Sequence, residues 1–93
     1  MTKFNILLSK TAAKELINLE KSMQEKIRAA LKELENDPVQ GRPKADIKKL
    51  HKMSKNEFYR LRVGNYRVVY NLENTNVKVI KIFSRSKGYE WLE

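Results

Sequence analysis

The sequence predicts an α+β fold of order β-α-α-β-β-β, with a two-helix hairpin packed on an antiparallel sheet. Two observations carry this. Residues up to Leu34 hold two successive stretches with helical spacing of apolar side chains, and the last third holds three short alternating runs separated by turn residues. Helices and strands segregated along a chain in this way pack as helices on one face of a sheet. The other face is then left to solvent or a ligand.

The elements follow in order. Phe4 to Leu8 is a short apolar run fit for a strand. Ser9 and Thr11 stand where a helix cap is expected, and Ala13, Leu16 and Ile17 then recur at helical spacing. Ser22 opens a Ser-Met-Gln-Glu run, a capping-box pattern with Glu25 three residues on. Met23, Ile27, Ala30, Leu31 and Leu34 follow on one face of a second helix, which Asn36-Asp37-Pro38 ends. Residues 37–57 read as a loop-rich connection holding Gly41, both prolines and several lysines, with Leu50 as its anchor in the core. Phe58–Val63, Tyr66–Leu72 and Val77–Ser84 are the three final strands. Gly64-Asn65 is the first turn between them, because both residues tolerate positive φ.

At 93 residues the chain fits one domain, 1–93. It has no cysteine, hence no disulfide framework and no thiolate nucleophile, as suits a reducing cytoplasm. No apolar run approaches the roughly 20 residues that span a bilayer, so no membrane partner is expected. No carboxylate pair, Gly-rich phosphate loop or metal-ligand cluster is present, and no cofactor is implied.

Charge is more informative. Lys and Arg number 20 against 11 Asp and Glu, a net +9. Residues 1–40 hold 7 basic and 6 acidic side chains, a net +1; residues 41–93 hold 13 and 5, a net +8. A field so one-sided favours a polyanion, either nucleic acid or an acidic protein segment.

Strand alternation sharpens this. In Phe58–Val63 the apolar set Tyr59, Leu61 and Val63 faces the helices, which turns Arg60 and Arg62 outward. In the next strand Val68, Tyr70 and Leu72 point in, and Arg67 and Val69 out. In the third, Ile80 and Ile82 are the inward choice, with Lys81, Phe83 and Arg85 outward. Like charges on neighbouring strands repel, and a bound anion offsets that cost. Arginine suits phosphate because its planar fork donates two parallel hydrogen bonds.

The run Tyr59-Arg-Leu-Arg-Val-Gly-Asn-Tyr-Arg-Val-Val-Tyr70, followed by Val79-Ile-Lys-Ile-Phe-Ser-Arg-Ser-Lys-Gly-Tyr89, resembles the RelE toxins of the RelE/ParE superfamily. The resemblance extends more weakly over the helix hairpin. It implies a toxin of a type II toxin–antitoxin pair, cytoplasmic, with an acidic cognate antitoxin. It implies cleavage of messenger RNA on the ribosome by attack of a 2′-hydroxyl on the adjacent phosphate, without metal. Carried over by position, Arg60 and Arg62 fall on two basic strand residues, Arg67 on the arginine after the strand tyrosine, Arg85 on the late arginine and Tyr89 on the C-terminal tyrosine. Arg67 and Arg85 suit phosphate and transition-state binding; Tyr89 suits base stacking or proton transfer.

Two departures from the family pattern matter. Ser84 stands where many relatives have histidine, and Arg60 and Arg62 are poor general bases because they stay protonated. Lys52 or Lys55 could serve as the base, or catalysis could rest mainly on positioning and charge, while His51 reads as incidental. Two other functions share the fold: a ParE-like toxin that binds DNA gyrase, and an RNA-binding module without catalysis.

Overall fold

The computed structural model describes residues 3–50 and 57–85. Its elements are β1 (Asn5–Leu8), α1 (Lys10–Ile17), α2 (Lys21–Leu34), β2 (Asp46–Lys49), β3 (Phe58–Val63), β4 (Tyr66–Glu73) and β5 (Asn76–Ser84). The α+β class is as expected, with the helices on one face of a single sheet. The sheet has five strands in the order β1-β5-β4-β3-β2 and is mixed rather than antiparallel, because β1 runs parallel to β5. The helix hairpin carries the chain back, so the first strand enters the sheet beside the last.

Ser9 caps α1, its Oγ accepting from the Ala12 N–H at 3.0 Å. The buried face of α1 is Ala12 and Leu16, an i, i+4 pair, whereas Ile17 is 67% exposed. The expected Ala13-Leu16-Ile17 stripe is therefore rotated by one residue. The capping box at Ser22 is not used either: α2 starts at Lys21, and its N-cap Glu20 makes no side-chain bond. Gln24 fixes the corner instead, donating through Nε2 to the Ile17 and Leu19 carbonyls left over at the end of α1. The apolar face of α2 is as predicted, with Ile27, Leu31 and Leu34 buried and Met23 and Ala30 packed at its margin.

The connection after α2 is more ordered than its composition suggested. The Asp37 carboxylate accepts from the Val39 and Gln40 N–H groups, which holds its pKa below the ordinary value. Arg42 donates to the Glu33, Asp37 and Gln40 carbonyls, so a side chain closes the helix end. Arg42 and Ala45 then exchange backbone bonds, and β2 begins. This strand was invisible in sequence because Asp-Ile-Lys-Lys offers one apolar residue; pairing with β3 makes it. Ala45 is buried and Ile47 packs on the core, in the role expected of the half-buried Leu50.

β3 and β4 form the predicted hairpin. Gly64 takes positive φ, +58°, as the first central residue of a two-residue turn demands, while Asn65 does not. Tyr59 and Tyr70 stack at 5.6 Å inside, and the Tyr70 hydroxyl donates to the buried Pro38 carbonyl at 2.7 Å.

In β5 the expected parity holds only past a bulge. Val69 pairs with Lys81 and Tyr70 with Val79, which leaves Ile80 without an opposite residue. Val77 and Val79 therefore face the core before the irregularity and Ile82 after it, while Ile80 is displaced to a half-buried position. Among the described residues no helix is long and apolar enough to cross a membrane.

Candidate functional site

The face of the sheet turned away from the helices carries the basic side chains. β3 supplies Arg60 and Arg62, β4 supplies Arg67, and β5 supplies Lys81. Arg85 follows directly after β5, its N–H donating to the Asn65 carbonyl across the β3–β4 turn at 2.7 Å. Two rows cross the strands. Arg60, Val69 and Lys81 are in register in one; Arg62, Arg67 and Phe83 are in register in the other. Four of the five sequence-predicted site residues, Arg60, Arg62, Arg67 and Arg85, thus share one neighbourhood. Tyr89 lies outside the described residues, as do Lys52, Lys55 and His51.

This face is not bare. Val69 is wholly buried, and Arg67 and Phe83 are each 6% exposed. Arg67 points outward from the core as expected, yet it lies at the bottom of the cluster rather than in water. Its guanidinium folds back on the turn, donating to the Tyr66 carbonyl at 3.1 Å and the Gly64 carbonyl at 3.3 Å. Burial first, then the charges of Arg60, Arg62 and Arg85, push its pKa down; Asp46 acts the other way. Among the described residues, one carboxylate against four guanidiniums leaves a concentrated positive field in a partly dry setting, where each charge acts more strongly than in water.

Arg60 adds a second feature. One guanidinium nitrogen sits 3.7 Å from an Asp46 oxygen, too long for a firm bond. Its Nε is buried with no hydrogen-bond partner among the described residues. A buried donor without an acceptor costs free energy that an anion would recover. Arg62, by contrast, is exposed at the rim.

Glu15 was not anticipated. β1 stops short of the second half of β5, and the Glu15 carboxylate from α1 takes its place, accepting from the Ile82 N–H at 2.8 Å. Its other oxygen lies 3.8 Å from Lys81 Nζ. Nothing local in sequence signals a contact between residues 67 apart. Asp46 was equally hidden, since it stood in what read as loop. Among the described residues no group of His, Cys, Asp or Glu is placed to hold a metal ion.

Residues 6–89 match the family model for the ParE toxin of the type II toxin–antitoxin system parDE. A protein of Methanocaldococcus jannaschii named RelE1 is 33% identical over 87 residues, covering 92% of this chain and 93% of that protein. The structure resembles the archaeal RelE–RelB complex of Pyrococcus horikoshii OT3, with a TM-score of 0.78 and 28% identity over 92% of this chain and 99% of that one. It also resembles the RelB–RelE antitoxin–toxin complex of Methanococcus jannaschii, with a TM-score of 0.72 and 25% identity over 94% and 99%.

Proposed function

Because the chain belongs to the RelE/ParE family of toxins from type II toxin–antitoxin systems, we propose that it cleaves messenger RNA on the ribosome without metal and that an acidic antitoxin restrains it. The observation that carries this reading is the state of Arg67: almost buried, hemmed in by Arg60, Arg62 and Arg85, with Asp46 opposing them among the described residues. Such a cluster has the form of an anion cradle. A phosphodiester seated in it meets the Arg67 fork and the guanidinium of Arg60, whose Nε has no hydrogen-bond partner among the described residues.

The reaction needs little else from the sheet. The 2′-hydroxyl gives its proton to solvent and its oxygen forms a bond to phosphorus as the bond to the 5′-oxygen breaks; the 5′-oxygen takes a proton from solvent, leaving a 2′,3′-cyclic phosphate and a 5′-hydroxyl. Negative charge grows on the non-bridging oxygens in between, and Arg67 and Arg85 are the cations assigned to stabilise it. Tyr89 is assigned to base stacking. The arginines are protonated throughout and do not remove the 2′-proton. The site is thus rich in cations and poor in base, and it relies on the ribosome to align the 2′-oxygen with the leaving group. Alignment of that kind supplies ~7–11 kcal/mol of a barrier.

The test is single-turnover cleavage of a message on programmed ribosomes and of the same message free in solution. The expectation is fast cutting on ribosomes, little on naked RNA, and a loss of roughly 10²–10³-fold for Arg67→Ala. Comparable cutting of the two substrates refutes the ribosome's assigned part. Arg85→Ala should stay folded by circular dichroism and no longer arrest growth.

A second reading is favoured by the ParE description of the matching family model: a toxin that binds DNA gyrase. Inhibition of gyrase supercoiling by the purified chain, with no ribosome-dependent cutting, would select it.

A further inference from the structure

Asp46 brings a negative charge into the arginine cluster. It opens β2 opposite Arg62, and strand alternation sets it on the open face with Lys48, Arg60 and Arg62. Its ion pair is with Arg60, on the diagonal, at 3.7 Å. A firm guanidinium–carboxylate pair makes two parallel N–H···O bonds, and this approach is too long for either. The Asp46 side chain is 55% exposed, while the Arg60 Nε stays buried with no hydrogen-bond partner among the described residues. The pair is not what places β2, since Asp46–Lys49 is already in backbone register with Tyr59–Arg62 and Ile47 packs on the core. The carboxylate is thus at the cluster without being fastened to it.

A phosphodiester would seek the same cations. Arg67, at the bottom of the cluster, feels Asp46 as well as Arg60, Arg62 and Arg85. An anion bonded to Arg67 and Arg60 meets a like charge unless Asp46 withdraws, and charges in a partly dry setting repel more strongly than in water. Withdrawal costs little. An exposed ion pair shifts an equilibrium by at most about fivefold, and the freed carboxylate is already half in water.

We propose that Asp46 is an internal competitor for the phosphate: it leans on Arg60 in the free protein, withdraws when RNA seats, and so weakens the hold of the cluster on RNA that no ribosome presents. That the anion is RNA rests on the proposed nuclease reading; the competition between Asp46 and an anion for Arg60 does not. The competitor selects against loose occupants. A message held in place by the ribosome displaces a weakly bound carboxylate at small cost, whereas free RNA, which must also be ordered on binding, loses part of an already modest affinity.

The probe is a short 2′-O-methylated oligoribonucleotide, which has no free 2′-hydroxyl and is not cut. It is titrated into the full chain without ribosomes and followed by fluorescence anisotropy. Asp46→Asn, and equally Asp46→Ser, should bind it about two- to fivefold more tightly than the parent, with the gap closing as salt is raised. Asp46→Glu keeps the charge and should bind as the parent does. Glu73→Gln removes the same charge at the far end of β4, roughly 20 Å from Arg67, and should not tighten binding. The Arg60 Nε–H resonance of the parent should shift as the probe binds. Equal affinity of the parent and both neutral variants, or an equal gain from Glu73→Gln, overturns the inference, as does an Arg60 Nε–H resonance that the probe leaves unmoved. So does an Asp46→Asn protein that binds more tightly yet cuts ribosome-held message more slowly, since Asp46 would then act in the reaction rather than withdraw before it. The binding readouts need no cleavage, so a chain that cuts no message can keep the competitor and lose only the nuclease.

Discussion

Replacing Arg67 by methionine should make the protein more stable and inactive. Arg67 is nearly buried, and burial together with Arg60, Arg62 and Arg85 disfavours its charged form, with Asp46 in opposition among the described residues. The guanidinium remains charged at neutral pH, so the folded state carries the electrostatic cost. Like charges on adjacent strands cost roughly 0.2–1 kcal/mol each. Three repulsions less one attraction leave two, or ~0.4–2 kcal/mol. Against this stand the long bonds to the Tyr66 and Gly64 carbonyls, at 3.1 and 3.3 Å. Gly64 is exposed and can be hydrated, so the loss is about one weak bond, roughly 0.5 kcal/mol. Methionine keeps the apolar stem that packs at this depth. At the middle of that range the net is a gain of about 0.7 kcal/mol, which for a domain of this size raises Tm by about 3–6 °C. Thermal melts followed by circular dichroism measure it. The gap between variant and parent should be widest at about 0.01 M salt, where the Debye length is about 30 Å, and shrink toward about 1 M, where it is about 3 Å. A variant that melts below the parent at low salt, or a gap indifferent to salt, refutes the argument that the cluster is strained by its own charge.

Two further predictions concern the frame that holds this face. Tyr70→Phe strands the buried Pro38 carbonyl, at a cost of about 1–3 kcal/mol read as a lower urea midpoint with unchanged slope. Asp37 has its pKa lowered by the N–H groups of Gln40 and Val39, so its contribution is present above the ordinary aspartate value and lost as pH falls through the lowered one. Below about pH 4 the stability difference between parent and Asp37→Asn should close, as melts across an acid series would show.

The candidate site was legible in sequence to the extent that it depends on local periodicity. The outward parity of Arg60 and Arg62 follows from the apolar alternation of Tyr59, Leu61 and Val63, which pleating imposes on any half-buried strand. The face of α2 follows from its spacing in the same way, and the family resemblance rested on residues that these patterns had already placed. Where apolar content was thin, as in Asp46–Lys49, the pattern had nothing to register and the strand was missed.

By itself, then, the sequence determined the α+β class, the face of α2, the hairpin turn at Gly64 and a basic set of outward side chains, because each depends on residues a few positions apart. The tertiary structure alone decided how those side chains meet. It set β1 beside β5, and it placed a bulge at Ile80 that switches which residues of β5 face the core. It put Glu15 on the Ile82 N–H and sank Arg67 among three other arginines. These outcomes depend on strand register and on contacts between distant segments, and the energies that select them exist only once the sheet has closed.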